Sequence, residues 1–292
     1  MQAEPLIQWP EPIVQLIGFI AQFLAAGAIG FRFFALKSRE IETDRPFYDD
    51  AASRAAGMGL VGVLISLAML LWQLPGAAAK KHLGVTAFVT SDVQTAAQLG
   101  FLLLALVGFA LAMGRINAGW VLAAVGVVVS SLRAALVGRW ASLVNPIHVL
   151  AAGLWIGTLF VLVVAGLSAL LKHEPTRARR GAIAADMVNG FSPLALSMGG
   201  VVVLFGVITA WTHLHRLDSL WTTPYGYALI AKLVFVAMVF ALGAWNWRRQ
   251  RPTLGTEEAA SAIKRSATAE LGVAAIVLMI TAIVVSLPSP KA

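Results

Sequence analysis

The residues best placed for chemistry are three histidines, His148, His213 and His215, each beside the end of a strongly apolar run. The chain has no cysteine, so a metal ion would be held by imidazole, thioether, carboxylate or backbone groups. Imidazole suits copper, iron, nickel or zinc, and a thioether adds preference for Cu(I), which brings in Met69 and Met198. His148 lies in Asn145–Phe160, NPIHVLAAGLWIGTLF. There Pro146 starts a helix, because its missing N–H falls among donors that a first turn leaves unpaired anyway. Seven residues are almost two turns, so His148, Ala152 and Trp155 share one face. Gly153 and Gly157 form a small-xxx-small pair that lets a second helix approach closely. In the run Thr209-Ala210-Trp211-Thr212-His213-Leu214-His215-Arg216, Thr209 shares a face with His213, while His215 points about 200° away and shares a face with Trp211. Both imidazoles could hold one ion only if the helix unwinds there, so His148 with one of the two is the more economical pair. Lys232 adds a cation about two turns into another apolar segment, where it either snorkels to the interface or tunes the charge around a bound ion. For His82, in PGAAAKKHLG, the plain reading of a loop histidine bonding lipid or backbone is kept.

Only a membrane can be the setting for these side chains. The 292 residues are 59% hydrophobic and 12% charged, with mean hydropathy +0.81, which no soluble domain of this length tolerates. The apolar runs are long and continuous rather than short and alternating, which favours an all-α bundle over a barrel. Eight segments are long enough to span: 13–36, 55–74, 93–113, 118–138, 147–171, 191–212, 226–247 and 271–287. The first twelve residues carry acids and no basic residue, unlike a cleavable signal. Fourteen basic residues fall in one set of alternate loops and five in the other, so the positive-inside rule puts both termini outside the cytoplasm. His82, His148, His213 and His215 then lie at the outer side, and His173 inside. Trp9, Trp72, Trp140, Trp211, Trp221 and Tyr225 fall mostly at outer edges and read as an aromatic belt before a site wall. Glu270 opens the last segment, where the helix dipole favours an acid as a cap.

The first and fifth segments share LAAG, at Leu24–Gly27 and Leu150–Gly153, and the second and sixth share Met-Gly, at 58–59 and 198–199. Four helices separate the copies, so a duplication would make the halves parallel, a four-helix half over 1–144 and another over 145–292. Gln22 and Gln73 stand where the second half has His148 and His213. A phosphate-cradling glycine loop, an HExxH pair and a nucleophile constellation are all absent, which argues against a primary pump and against an enzyme. Nothing points to nucleic acid.

The runs FSPLALSMGGVVVLFGVITAW (191–211), TPYGYALIAKLVFVAMVFALGAWNWRR (223–249) and AELGVAAIVLMITAIVVSLPSP (269–290) resemble the copper resistance protein D (CopD) family. The matching features are the FS-x-x-A opening, the threonine late in the sixth segment, YG-x-x-L-x-x-K, and a glutamate before a helix that ends in prolines. His148 with Trp155 and Gly157 matches the earlier H-x6-W-x-G element. The likeness covers roughly 145–290, and 1–144 only in hydropathy and helix count. Thr209-Ala210 replaces the family's Thr-Gly, Gly157-Thr158 its paired glycine, and Trp247 splits the asparagine from the arginine. The soluble CopC-like domain fused to some members has no counterpart in this sequence. The resemblance implies a bacterial inner-membrane protein that handles copper, with His148, His213 and His215 as ligands and Lys232, Trp155, Thr209 and Trp211 around them. It also implies a periplasmic chaperone of the CopC type as a partner. Two other functions fit the same histidines: a cytochrome with haem b between His148 and His213, and a factor delivering copper to a respiratory oxidase.

Overall fold

The computed structural model describes residues 9–36, 44–214, 216–250 and 257–290. All regular structure among them is helical. The long elements are α1 (Glu11–Ala35), α2 (Arg45–Lys80), the short α3 (Val85–Ser91), α4 (Val93–Met113), α5 (Ala118–Ser131), α6 (Trp140–Leu170), α7 (Arg180–Leu214), α8 (Pro224–Gln250) and α9 (Glu257–Ser286). Seven helices among the described residues are long and apolar enough to cross a membrane. The expected fourth segment is shorter than its hydropathy suggests. It is α-helical for 14 residues and, past Leu132, continues as a 3₁₀ turn over Arg133–Val137 that stops at Gly138, φ 69°. At 1.5 Å per residue the α-helical part rises about 21 Å, short of one hydrocarbon thickness of about 30 Å.

Long helices that follow one another along the first half of the chain run antiparallel. Gly18 of α1 meets Met69 of α2, Gly59 of α2 meets Phe109 of α4, and Gly126 of α5 meets Ala105 of α4. Consequently α1 starts, and α9 ends, at the same end of the bundle as His213 and Asp92. The opposite end carries Arg45, Arg115 and Arg179 and is the basic end. There a short bridge ties the two halves of the chain, Arg179 Nη1 to the buried Asp44 carboxylate at 2.6 Å. The buried Arg180 donates to the Leu170 carbonyl at 3.2 Å, closing the end of α6.

The centre of the molecule is the parallel crossing of α1 and α6. A Cβ on Gly157 would stand 3.0 Å from the Phe23 carbonyl carbon and 3.2 Å from Gly27 Cα, so the two backbones touch with no side chain between them. Thr158, fully buried, adds a hydroxyl bond to the Gly27 carbonyl at 3.4 Å. The two LAAG copies therefore ride side by side at this crossing. Helix α6 carries π-helical turns at Gly153–Gly157 and Leu162–Leu167, and α1 ends in one at Phe31–Ala35. Such turns widen the helix locally and concentrate at functional sites.

Helix α4 begins on a built cap. Asp92 accepts from the Thr95 backbone N–H at 3.0 Å and from its hydroxyl at 2.6 Å, and Lys81 approaches at 3.4 Å. The Thr95 bonds hold the carboxyl below its ordinary range. Asp92→Ala should cost about 1 kcal/mol, as other cap removals do, read as a lower midpoint in thermal unfolding. Because folding lowers this pKa, the contribution is complete above the ordinary carboxylate value of about 4 and is lost as the pH falls through the depressed one.

The acid in the last helix is placed differently from the expected cap. Helix α9 already starts at Glu257, so Glu270 lies well inside it, within the apolar span Ala260–Ser286. Its Oε1 accepts from Asn246 Nδ2 of α8. Gly243, whose Cβ would lie 3.8 Å from Oε2, leaves the carboxylate room against α8.

Candidate metal site in the seam of three helices

Helices α6 and α7 pack directly against each other, antiparallel, with α6 supplying His148. The imidazole lies flat on α7 because Gly206 has no side chain. A Cβ there would be 2.9 Å from His148 Cε1 and 3.3 Å from Nδ1. On the same helix the Val202 carbonyl lies 2.9 Å from Nδ1. A carbonyl only accepts, so Nδ1 carries the proton and Nε2 keeps the free lone pair. This is the second-atom bond that metal-binding histidines generally make, fixing tautomer and ring orientation.

Helix α8 closes the third side. Lys232 lies near enough to His148 to act on it electrostatically. Two turns deeper, Trp155 of α6 packs against Phe240 of α8, ring centroids 4.8 Å apart, and both rings rest over Gly199 of α7. Trp155 thus forms the floor under His148, as its helical spacing suggested.

His213 stands apart from this pocket. It follows Gly206 by seven residues, a rise of about 10 Å along α7. Its Nδ1 donates to the Thr209 carbonyl at 2.8 Å, and its ring lies parallel to Tyr225 at 6.2 Å. Like His148, it keeps Nε2 free. Thr209 spends its hydroxyl on the Phe205 carbonyl at 2.8 Å, so what it offers the site is its own carbonyl, which orients His213. Trp211 is 59% exposed. His215 lies outside the described residues. No group of three or more His, Cys, Asp or Glu side chains that could hold a metal occurs among the described residues. Met69 packs against Gly18 in the α1–α2 interface, and Met198 packs against the main hydrophobic core.

The geometry does not support haem between His148 and His213. A porphyrin with two axial imidazoles needs a gap between the helices that carry them. Here one imidazole fills a glycine notch on the helix that carries the other. Sequence reasoning missed Gly206, Val202 and Phe240, the partners that fix His148 and Trp155. A glycine amid large apolar residues at 201–208 was the one available signal.

The chain is 32% identical over 151 residues to the copper transport protein CutJ of Bacillus subtilis (strain 168). That stretch is 51% of this chain and 25% of CutJ, so the chain matches about a quarter of that relative's length. No solved structure matches. Residues 185–284, which hold Gly206, His213, Lys232 and Glu270, match the family model of copper resistance protein D, and that stretch includes most of three of the seven described helices long and apolar enough to cross a membrane.

Proposed function

We propose that the protein carries or hands on copper across the bacterial inner membrane and takes up the ion at the end of the bundle where His148 and His213 lie. In this reading that end faces the periplasm, both termini lie there, and the loops rich in arginine and lysine face the cytoplasm, as the positive-inside rule requires. The fourth segment then crosses as helix plus 3₁₀ turn. The relative CutJ is named for copper transport, and the matched family for copper resistance.

The observation that carries the reading is His148, whose Nδ1 proton is bound to the Val202 carbonyl so that Nε2 is left as a fixed donor. His213 would receive the ion nearer the surface and pass it inward to His148, and His215 is proposed as a further ligand. Two or three imidazoles in sequence, with the Lys232 charge beside the deeper one, hold a cation weakly enough to release it, which a carrier needs and a structural site does not. Trp155 and Phe240 close the seam below. A soluble periplasmic copper chaperone of the CopC type would be the donor. The ion is cargo, and no catalytic step is required of the protein.

Copper bound by the purified protein tests this. His148→Ala should lose most of the copper that the wild-type chain retains, and His213→Ala a smaller share. Unchanged stoichiometry in both variants would sink the proposal.

A further inference from the structure

The basic end holds a small cavity of about 110 Å³ between the start of α2 and the α4–α5 connection, lined by Arg45, Asp49, Arg115, Asn117 and Trp120. Arg32 reaches it from the end of α1. Its Nη2 donates to Asn117 Oδ1 at 3.3 Å, and its guanidinium lies 6.0 Å from the centre of the Trp120 ring. With Oδ1 engaged, the Asn117 amide has its NH₂ left to donate. Arg115 is steered by Asp50 at 2.7 Å. Three guanidiniums, Arg32, Arg45 and Arg115, and two carboxylates, Asp49 and Asp50, gather here from two helices and a loop, which leaves one net positive charge among them.

The apolar surroundings say what kind of anion fits. Met113 and Ile116, next to the cavity in sequence, are 42% and 50% exposed, and Phe33 and Phe34 beside Arg32 are 38% and 36% exposed. A free phosphate has no use for such flanks, whereas acyl chains do. The volume is well under the roughly 300 Å³ of a typical small-molecule site. It suits a single phosphate whose remaining bulk lies outside. Arginine forks match phosphate oxygens two at a time, and basic pockets between membrane helices are where anionic headgroups settle.

We propose that this cavity binds the phosphate of an anionic phospholipid, with the acyl chains lying over Met113, Ile116 and the Phe33–Phe34 pair. Binding ties the ends of α1 and α2 to the α4–α5 loop, so it stabilises the first half of the chain. The inference is independent of copper.

The test titrates the purified full chain in detergent with phosphatidylglycerol, phosphatidylcholine or inorganic phosphate and follows the thermal unfolding midpoint. Phosphatidylglycerol should raise the midpoint, and the other two should leave it nearly unchanged. Arg45→Gln keeps the Arg115–Asp50 pair and should weaken the apparent phosphatidylglycerol affinity about fivefold, the worth of one arginine at an anionic surface. Arg54→Gln removes the same charge from the opposite face of α2, nine residues along, and should retain wild-type affinity. Equal stabilisation by phosphatidylcholine, or equal losses in Arg45→Gln and Arg54→Gln, would overturn the proposal. A full shift with inorganic phosphate alone would overturn the lipid assignment.

Discussion

Gly157→Val should yield little or no folded protein, and Gly157→Ala should lower stability by about 3 kcal/mol, at the upper end of what overpacking costs. The reason is the nature of the obstacle. A Cβ at this position meets the Phe23 carbonyl group and Gly27 Cα, all of it backbone, so no rotamer change can make room. Helices α1 and α6 would have to part by about 1 Å to reach ordinary contact distance. That loosens the crossing on which α2, α7 and α9 also pack, together with the Thr158 bond to Gly27. Gly200→Ala is the matched control, since nothing lies within 4 Å of its added Cβ. Alanine in a helix is intrinsically better than glycine by up to about 1 kcal/mol, so Gly200→Ala should be neutral or mildly stabilising. Thermal unfolding of the two variants in the same detergent separates the effects. Equal midpoints would mean that the crossing is not the keystone of the fold.

Much of this architecture was legible in the sequence because hydropathy reports on burial in lipid. The segment 93–113 coincides with α4, bounded by the Asp92 cap and Gly114. The glycine pair of the fifth segment did mark a close approach, and Gly157 found its partner in the matching LAAG copy. Hydropathy does not report where a helix begins. Helices α2, α7 and α9 each run ten or more residues past their apolar stretch into the basic end, through sequences such as EEAASAIKRSATA that favour helix without being apolar. That is why Glu270 looked like a cap and is instead an acid inside a span, bonded to Asn246. The fourth segment erred the other way. Its apolar run continues through 138, but the backbone turns at Leu132 and tightens to a 3₁₀ helix, which composition cannot register. For the site, the pairing of the fifth and sixth segments rested on an assumed contact, and that contact exists between α6 and α7. The spacing of Thr209 and His213 on one face was readable, and so was that of His148 and Trp155. The depth difference between His148 and His213 was not, since it depends on the antiparallel register that sets His148 against Gly206 and Trp155 against Gly199.

That register leads to the most selective expected result. Gly206→Ala should leave stability nearly unchanged while weakening copper binding by about 10- to 100-fold, the usual loss when a ligand's orienting contact is disturbed. The added Cβ would stand 2.9 Å from His148 Cε1. Here the obstacle is a side chain rather than backbone, so the ring rotates away instead of the helices parting. Rotation breaks the bond from Nδ1–H to the Val202 carbonyl, a loss of about 1 kcal/mol. The gain in helix propensity from glycine to alanine is of similar size and opposite sign. Fold and metal affinity are thereby uncoupled, which His148→Ala cannot achieve because it also empties a packed position. Copper titration of purified Gly206→Ala, set beside its unfolding midpoint, reads both quantities. A wild-type affinity in this variant would show that the orientation of His148 is irrelevant to the ion, and the seam of α6, α7 and α8 would no longer be the place to look for it.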